Sequence, residues 1–229
     1  MDANQQSTAN PFGMDEACEN CPELCAPRTQ VVHGYGDVGA DFLFVGERPS
    51  ARADTVGIPF LEAGPRDEGE RGTGDDGGTG EGRANGGLYR ILQRLGLCAS
   101  TGDPEEPELA NVYLTLLTRC RDPERPPTDE EVVTCEPYLN AEIRMINPEI
   151  IVPVGQRALT EIGTEYTTTA ADNLEIETHH ATTIRGRGFE LVPMLEPAAQ
   201  TQAQTQAWLE HFVDLMASDY RQTKGRQGR

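Results

Sequence analysis

The sequence of 229 residues predicts one α/β domain, a three-layer αβα sandwich around a central four-stranded, mainly parallel sheet. Short, nearly continuous apolar runs are typical of strands that are covered on both faces. Segments with helical spacing of their apolar residues lie between or after these runs, which favours parallel strands joined by helices. The four predicted strands are residues 41–47, 111–117, 149–154 and 189–195.

Each connecting segment has its own helical signal. Residues 88–97 place leucine and isoleucine three and four positions apart, which gives the segment one apolar face. Residues 128–146 begin with Thr128 and Glu131, the pair that forms a capping box at a helix N-terminus. Two further helices are predicted at residues 156–162 and 207–216.

Three segments lack the apolar side chains that a core requires. Residues 1–14 and 218–229 are polar and are predicted to be tails, so the domain is expected to span residues 15–217. Inside it, residues 65–87 consist mostly of glycine, acidic residues and arginine. This composition predicts a disordered insert.

The charge balance is unusual, because the net charge is −19 and Lys224 is the one lysine among nineteen basic residues. Acid spread along the whole chain favours a halophilic protein, whose carboxylates hold hydration in concentrated salt; the alternative is a protein that repels nucleic acid. At molar salt the Debye length is about 3 Å, so an acidic surface does not exclude DNA. The sequence has no long apolar run and no signal-peptide pattern at its start, which predicts a cytoplasmic protein without a membrane partner.

Six cysteines in a cytoplasmic protein of this size favour metal or cluster ligation over disulfides. Cys18 and Cys21 are separated by two residues, which suits tetrahedral sulfur ligation. Cys120 and Cys135 bracket a loop rich in arginine and proline. Spacing alone leaves zinc and an iron–sulfur cluster equally open.

Four stretches carry longer motifs: CENCPELC (18–25), VGERPSARADTVGIPF (45–60), VYLTLLTRCRDPERPPTDEEVVTCEPYL (112–139) and IIVPVGQRAL (150–159). In this order and spacing they resemble the family 4 uracil-DNA glycosylases. The resemblance implies a base-excision repair hydrolase that cleaves the N-glycosidic bond of a flipped deaminated base, uracil or a relative. It also implies that DNA is the partner, and we expect a monomer.

The resemblance assigns roles to individual positions. It implies a structural 4Fe–4S cluster rather than zinc, with four ligands: Cys18, Cys21, Cys120 and Cys135. Cys25 and Cys98 are then not ligands, and Cys98 is expected in the core. Three arginines at or just before the loop between the last two ligands could contact DNA phosphates, unless solvent or carboxylates occupy them: Arg119, Arg121 and Arg125.

The base pocket is expected after the first strand. Three residues there match positions that bind the base: Gly46, Pro49 and Phe60. The family's glutamate implicated in placing the attacking water falls on Ala53, so two other acidic residues of the motif are the catalytic candidates to orient water: Glu47 and Asp54.

The match fails at several functional positions. The family's asparagine that reads the uracil edge is Leu116, its second pocket glutamate is Ala53, and its final histidine is Glu196. His179 and His180 are an alternative source of the missing histidine. Two hypotheses remain open: a diverged glycosylase, or a catalytically degenerate member that keeps the fold and cluster and binds nucleic acid or a partner.

Overall fold

The computed structural model describes residues 8–62, 87–99, 103 and 105–220. It confirms the α/β class, and the four predicted strands form the parallel centre of the sheet. Two strands of two residues each extend the sheet antiparallel at its edges, so the sheet has six strands rather than four. Such short strands leave no periodicity in the sequence. The strands are β1 (Tyr35–Gly36), β2 (Phe42–Gly46), β3 (Val112–Leu116), β4 (Ile150–Pro153), β5 (Ile184–Arg185) and β6 (Glu190–Leu191), in the sheet order β1-β3-β2-β4-β6-β5.

The predicted helices are present, and three short ones join them. The described residues form seven α-helices: α1 (Pro22–Cys25), α2 (Ala51–Val56), α3 (Gly87–Arg94), α4 (Asp129–Ile146), α5 (Gln156–Tyr166), α6 (Ile176–His179) and α7 (Gln202–Ala217). Single 3-10 turns occupy Ala171–Asn173 and Pro197–Ala199. The last helix begins five residues earlier than predicted, because Thr201 and Gln204 form a capping box there.

Alternation along β2 produces the three layers. Phe42 and Phe44 contact one apolar cluster, which also contains residues of α3 and α7. Leu43 and Val45 point the other way, into a cluster with residues of α4 and α5. Successive residues of β2 face opposite sides of the sheet, and helices cover both sides, so every residue of β2 is buried. Cys98 lies in the first cluster, as expected of a core residue.

The chain ends that we predicted as tails are described in part. Ala9 pairs with Tyr35 of β1, and the amide of Asn10 donates to the carbonyl of Gly34 at 3.0 Å. Near the other end, the ring of Tyr220 lies 5.3 Å from that of Phe42. Residues 1–7, 221–229 and all of the predicted insert except Gly87 lie outside the described residues. Of the helices that the structure describes, none combines the length and apolarity needed to cross a bilayer.

Candidate active site and cysteine cluster

A cavity of about 330 Å³ opens at the carboxyl ends of β2, β3 and β4. Open α/β sheets bind their ligands at this edge. Four of the five residues predicted for the base pocket line it: Gly46, Glu47, Pro49 and Phe60. Leu116 and Glu196, which stand at the positions of the family's asparagine and histidine, line it as well.

Phe60 and Leu116 form an apolar surface over the backbone of Gly46. A Cβ atom on Gly46 would lie 2.8 Å from Cζ of Phe60 and 3.0 Å from Cδ2 of Leu116, so this position has no room for a side chain. Phe60 has a φ of 61°, in the left-handed region that bulky residues rarely adopt. Strained backbone of this kind is concentrated at functional sites. The result is a flat apolar surface suited to stacking of a base.

Three glutamates face the same space: Glu47, Glu62 and Glu196. Glu47 is half-buried, while Glu62 and Glu196 lie at the open rim. Burial raises the pKa of Glu47 above its usual range; Arg48 opposes this shift and Glu196 adds to it. Desolvation, with a contribution from Glu196, likewise raises the pKa of Glu62. Within the described chain no hydrogen bond satisfies these three carboxylates, so the cavity offers several free acceptors.

Arg48 connects this cavity to the loop between the cysteines. Its Nη1 donates to the carbonyl of Asp122 at 2.8 Å and also to that of Arg125. Ser50 caps α2, with its Oγ accepting from the amide of Ala53 at 3.0 Å, and donates to the carbonyl of Leu61. Both residues depart from the family's motif, and both hold the cavity wall in place.

Asp54 was predicted to orient water, but it does not line the cavity. Only 5% of its surface is exposed, and the amide of Thr29 donates to its Oδ2 at 2.9 Å. Its carboxylate therefore faces the segment that follows the N-terminal cysteines. The helical turn that begins at the Ser50 cap turns Asp54 away from the strand ends. Asp54 stabilises the contact between two segments and leaves Glu47 as the acidic candidate for catalysis.

Arg119 was predicted to contact DNA phosphate, and this prediction is wrong because the side chain is buried, with 1% exposed. Its Nη2 lies 2.5 Å from Oε2 of Glu142, and its Nη1 donates to the hydroxyl of Thr115. Glu142 also accepts from the amide of Gly34 at 3.1 Å and from the hydroxyl of Tyr113 at 3.2 Å. A charged pair in the interior therefore links β3, α4 and the N-terminal segment.

Arg119→Met is expected to lower the free energy of unfolding by about 3–5 kcal/mol, because it leaves the carboxylate of Glu142 buried without its cation. Denaturant titration would measure the loss. Arg157→Met is the matched control, since Arg157 pairs with Asp129 and Glu161 near the surface and should contribute at most about 1 kcal/mol. Equal losses in the two variants would contradict this account of the buried pair.

The other two arginines of this loop differ in their partners. Arg125 forms a two-point ion pair with Glu131, at 2.7 and 2.8 Å, and lies 3.3 Å from Asp122. The hydrogen bond from Arg125 lowers the pKa of Glu131 to about 2. Arg121 lines the cavity and has no ion pair with any described residue. Among the described residues, Arg121 therefore has no acidic partner that would compete with a ligand.

Neither neighbouring histidine replaces the missing one. The amide of Leu195 donates to Nδ1 of His180 at 3.1 Å, and Nε2 of His180 lies 3.0 Å from the carbonyl of Gln204. Both ring nitrogens of His180 are thus engaged by backbone groups, and burial lowers its pKa, so it serves the structure and not the cavity. Nε2 of His179 lies 2.8 Å from the carbonyl of Asn173. The carboxylate of Glu196 instead covers the start of α5, where a Cβ on Gly155 would lie 3.0 Å from Oε1.

All four cysteines that were predicted to bind the cluster line a second, smaller pocket: Cys18, Cys21, Cys120 and Cys135. Nη1 of Arg28 donates to Sγ of Cys120 at 3.3 Å and to Sγ of Cys25 at 3.1 Å. The amide of Arg119 donates to Sγ of Cys135 at 3.4 Å. Among the described residues, no three cysteine, histidine or acidic side chains are arranged as the ligands of one metal ion.

Burial makes these thiols difficult to ionise. It raises the pKa of Cys21 to about 11, and the other three cysteines of the pocket add to this shift. It also raises the pKa of Cys120 to about 11 against the opposing effect of Arg28. Grouped thiols of this kind lose their protons readily only when a cation shares their charge. The donor set therefore fits a sulfur-ligated metal group.

Three residues of these sites escaped the sequence-based prediction. Glu62 follows Phe60 by two positions, so its place in the cavity wall could have been inferred from the motif. Arg28 donates to Cys120, which lies 92 residues later in the sequence, and Glu142 accepts from Arg119, which lies 23 residues earlier. No local sequence pattern indicates either contact.

Comparison with known proteins agrees with this geometry. Residues 33–217 match the family model described as the Uracil DNA glycosylase superfamily. A type-4 uracil-DNA glycosylase of Thermotoga maritima is 33% identical over 144 residues, which cover 62% of this chain and 59% of the relative. A type-4 enzyme of Saccharolobus solfataricus is 29% identical over 62% of this chain and 52% of the relative. A type-5 uracil-DNA glycosylase of Thermus thermophilus is 30% identical over 60% and 63%. The chain thus spans about half to three-fifths of the type-4 relatives' length.

Proposed function

The chain belongs to the uracil-DNA glycosylase superfamily, and on this premise we propose that it hydrolyses the N-glycosidic bond of a damaged base flipped out of DNA. The observation that carries the proposal is the cavity at the strand ends, where Phe60 and Glu47 face the same space. A flipped base would stack on Phe60, a contact worth roughly 1–3 kcal/mol. The reaction serves base-excision repair.

Glu47 is the residue proposed to act on water. Its carboxylate is half-buried and has no hydrogen-bond partner in the described chain, so it is available to a water molecule beside the sugar. As the bond between C1′ and the base nitrogen breaks, its electron pair stays on the base. The water oxygen bonds to C1′ and its proton passes to Glu47. The negative charge of Glu47 also stabilises the cationic sugar of the transition state.

Arg121 is proposed to position the DNA. It lies at the cavity mouth, where a side chain without an ion pair can contact a phosphate. Arg125 contributes less, because Glu131 and Asp122 already neutralise it. With a net charge of −19, the protein is expected to bind DNA best in the concentrated salt that screens its acidic surface.

The four cysteines are proposed to hold a 4Fe–4S cluster, with zinc as the alternative for the same ligands. The fit rests on four cysteine side chains lining one pocket and on N–H donors directed at Sγ of Cys120 and Cys135. When bound, the group would cross-link the N-terminal segment to the loop that carries Arg121. In that way it would stabilise the mouth of the cavity.

Glu47→Gln is expected to reduce base release by about a hundredfold or more, since it removes a general base. In the native protein the rate should rise with pH through the pKa of Glu47, which burial places above its usual value, because the ionised carboxylate is the active form. A pH–rate profile on DNA with a damaged base would show this rise, and the variant should lose it. Glu177→Gln, an exposed residue on α6, is the control. An unchanged rate in Glu47→Gln would exclude Glu47 as the base.

The degenerate-member hypothesis has one observation in its favour. Leu116 offers no hydrogen bond, and Glu196 places negative charge where uracil would leave as an anion. Tight binding of damaged DNA with no base released from any substrate would support a binding protein over a glycosylase.

A further inference from the structure

The hydrogen-bonding character of the cavity is unusual for a site that would read uracil. Its three glutamates, Glu47, Glu62 and Glu196, have carboxylates without a hydrogen-bond partner in the described part of the chain. An ionised carboxylate accepts hydrogen bonds and donates none. Uracil presents two carbonyl oxygens and a single N–H on its reading edge, so most of that edge would face acceptors. The cavity therefore disfavours the base that gives the family its name.

We propose that this cavity takes a positively charged base, namely an N-alkylated purine in DNA such as 7-methylguanine or 3-methyladenine. The inference rests on the proposed glycosylase function and names its substrate class. Alkylation at these ring nitrogens leaves the purine cationic, and amino groups on the ring provide N–H donors. Both features match a cavity with three free carboxylates.

The apolar wall of the cavity fits the same ligand. The face of Phe60 attracts a cation as well as stacking on a flat ring. Leu116 lines the cavity beside Phe60, so an alkyl group forms part of the wall against which a methyl group would lie. The volume of about 330 Å³ is at the small end of ligand sites, which suits one base.

The arginines of the cavity do not cancel this preference. Nη1 of Arg48 is directed at the carbonyls of Asp122 and Arg125, away from a bound base. Arg121 belongs to the loop at the mouth, where phosphate is its natural partner. Three carboxylates thus outnumber the two arginines that line the cavity, and the net charge of its wall is negative.

The chemistry of departure also agrees with a cationic base. When the bond from C1′ to the alkylated purine breaks, its electron pair neutralises the positive ring, and the base leaves uncharged. Water adds its oxygen to C1′, and Glu47 takes the proton, which leaves an abasic sugar. No anion forms on the base, so Glu196 opposes nothing and no histidine is needed to stabilise the leaving group.

The first test uses DNA duplexes that carry one 7-methylguanine or one uracil, incubated with the full-length protein in molar KCl. Released base is measured by chromatography against a protein-free control. We expect 7-methylguanine to be released at least about a hundredfold faster than uracil. Release of uracil at an equal or greater rate would overturn the inference and leave the proposed function intact. No release of either base would instead overturn the proposed function.

A binding test separates the proposed substrate class from the proposed catalytic activity. Affinities for 7-methylguanosine and guanosine, measured at slightly acidic pH where the former is a cation, should favour 7-methylguanosine. Glu196→Gln should reduce that preference roughly tenfold, the factor expected for one lost charged hydrogen bond. Glu177→Gln, with the same change of charge on α6, should leave it unchanged. Equal affinities in the native protein, or a preference that survives Glu196→Gln, would refute the inference whether or not the protein is catalytic.

Discussion

The double substitution Leu116→Asn with Glu196→His is expected to raise uracil excision by more than roughly a hundredfold over the native protein, which should cleave uracil weakly. Both positions line the cavity, and Leu116 lies against Gly46 below the proposed base site. Asparagine there would supply a donor and an acceptor to the base edge. Leaving such polar groups unpaired costs about 1–3 kcal/mol each.

The second substitution acts on the leaving group. A carboxylate 4 Å from a developing anion repels it by up to about 4 kcal/mol at an effective dielectric of 20. A histidine at position 196 would donate a hydrogen bond instead. The single variants should each give part of the gain, measured as initial rates on uracil-containing DNA. Robust uracil excision by the native protein would contradict this view of the cavity. An inactive double variant would indicate that Ala53 or Arg48 prevents uracil excision independently of positions 116 and 196.

Loss of the proposed metal group is the second large effect that we expect. The native protein, purified without oxygen, should be brown and contain iron and sulfide. Cys120→Ser or Cys135→Ser should bleach it and lower the melting temperature by about 10 °C, if the lost cross-link is worth about 3 kcal/mol. The physical reason is that three ligand thiols remain in one pocket without the cation that would share their charge.

Two variants act as controls for the metal site. Cys98 lies in the apolar cluster that contains Phe42 and Phe44, and it is not one of the predicted ligands. Cys98→Ser should therefore keep the visible absorption of the native protein. Cys25→Ser should also keep it, although Cys25 shares Arg28 with Cys120. Visible absorption, iron content and thermal melts would follow each variant. Stoichiometric zinc without iron in the native protein would replace the cluster by the alternative ion.

Local sequence patterns were sufficient for the main elements of the fold. Strands β2, β3 and β4 are short and apolar apart from Thr115, and burial on both faces of a parallel sheet permits few other side chains. The Thr128–Glu131 capping box marks the start of α4, because both side chains bond to the helix terminus within one turn. Strands β1 and β5 are two residues long and exist because they pair with β3 and β6. Such short runs have no periodicity from which a strand could be predicted.

The cavity was predictable only in part. Gly46 and Phe60 belong to one motif, and the strand end that precedes them determines where they lie. The orientation of Asp54 depended on how α2 packs against Thr29, and the burial of Arg119 depended on Glu142, which lies one helix further along the chain. Such contacts join distant segments, and a charged residue looks the same in sequence whether it faces DNA or a buried partner.

The sequence by itself determined the fold class and the replacements at positions 53, 116 and 196, since these depend on residue identity and local spacing. Tertiary structure alone decided that three glutamates share one cavity, that Arg121 lines it without an ion pair to any described residue, and that Arg48 is directed at backbone carbonyls. The physical reason is that electrostatic character belongs to a space enclosed by several segments. It arises from distances between charges, which the order of residues along the chain does not contain.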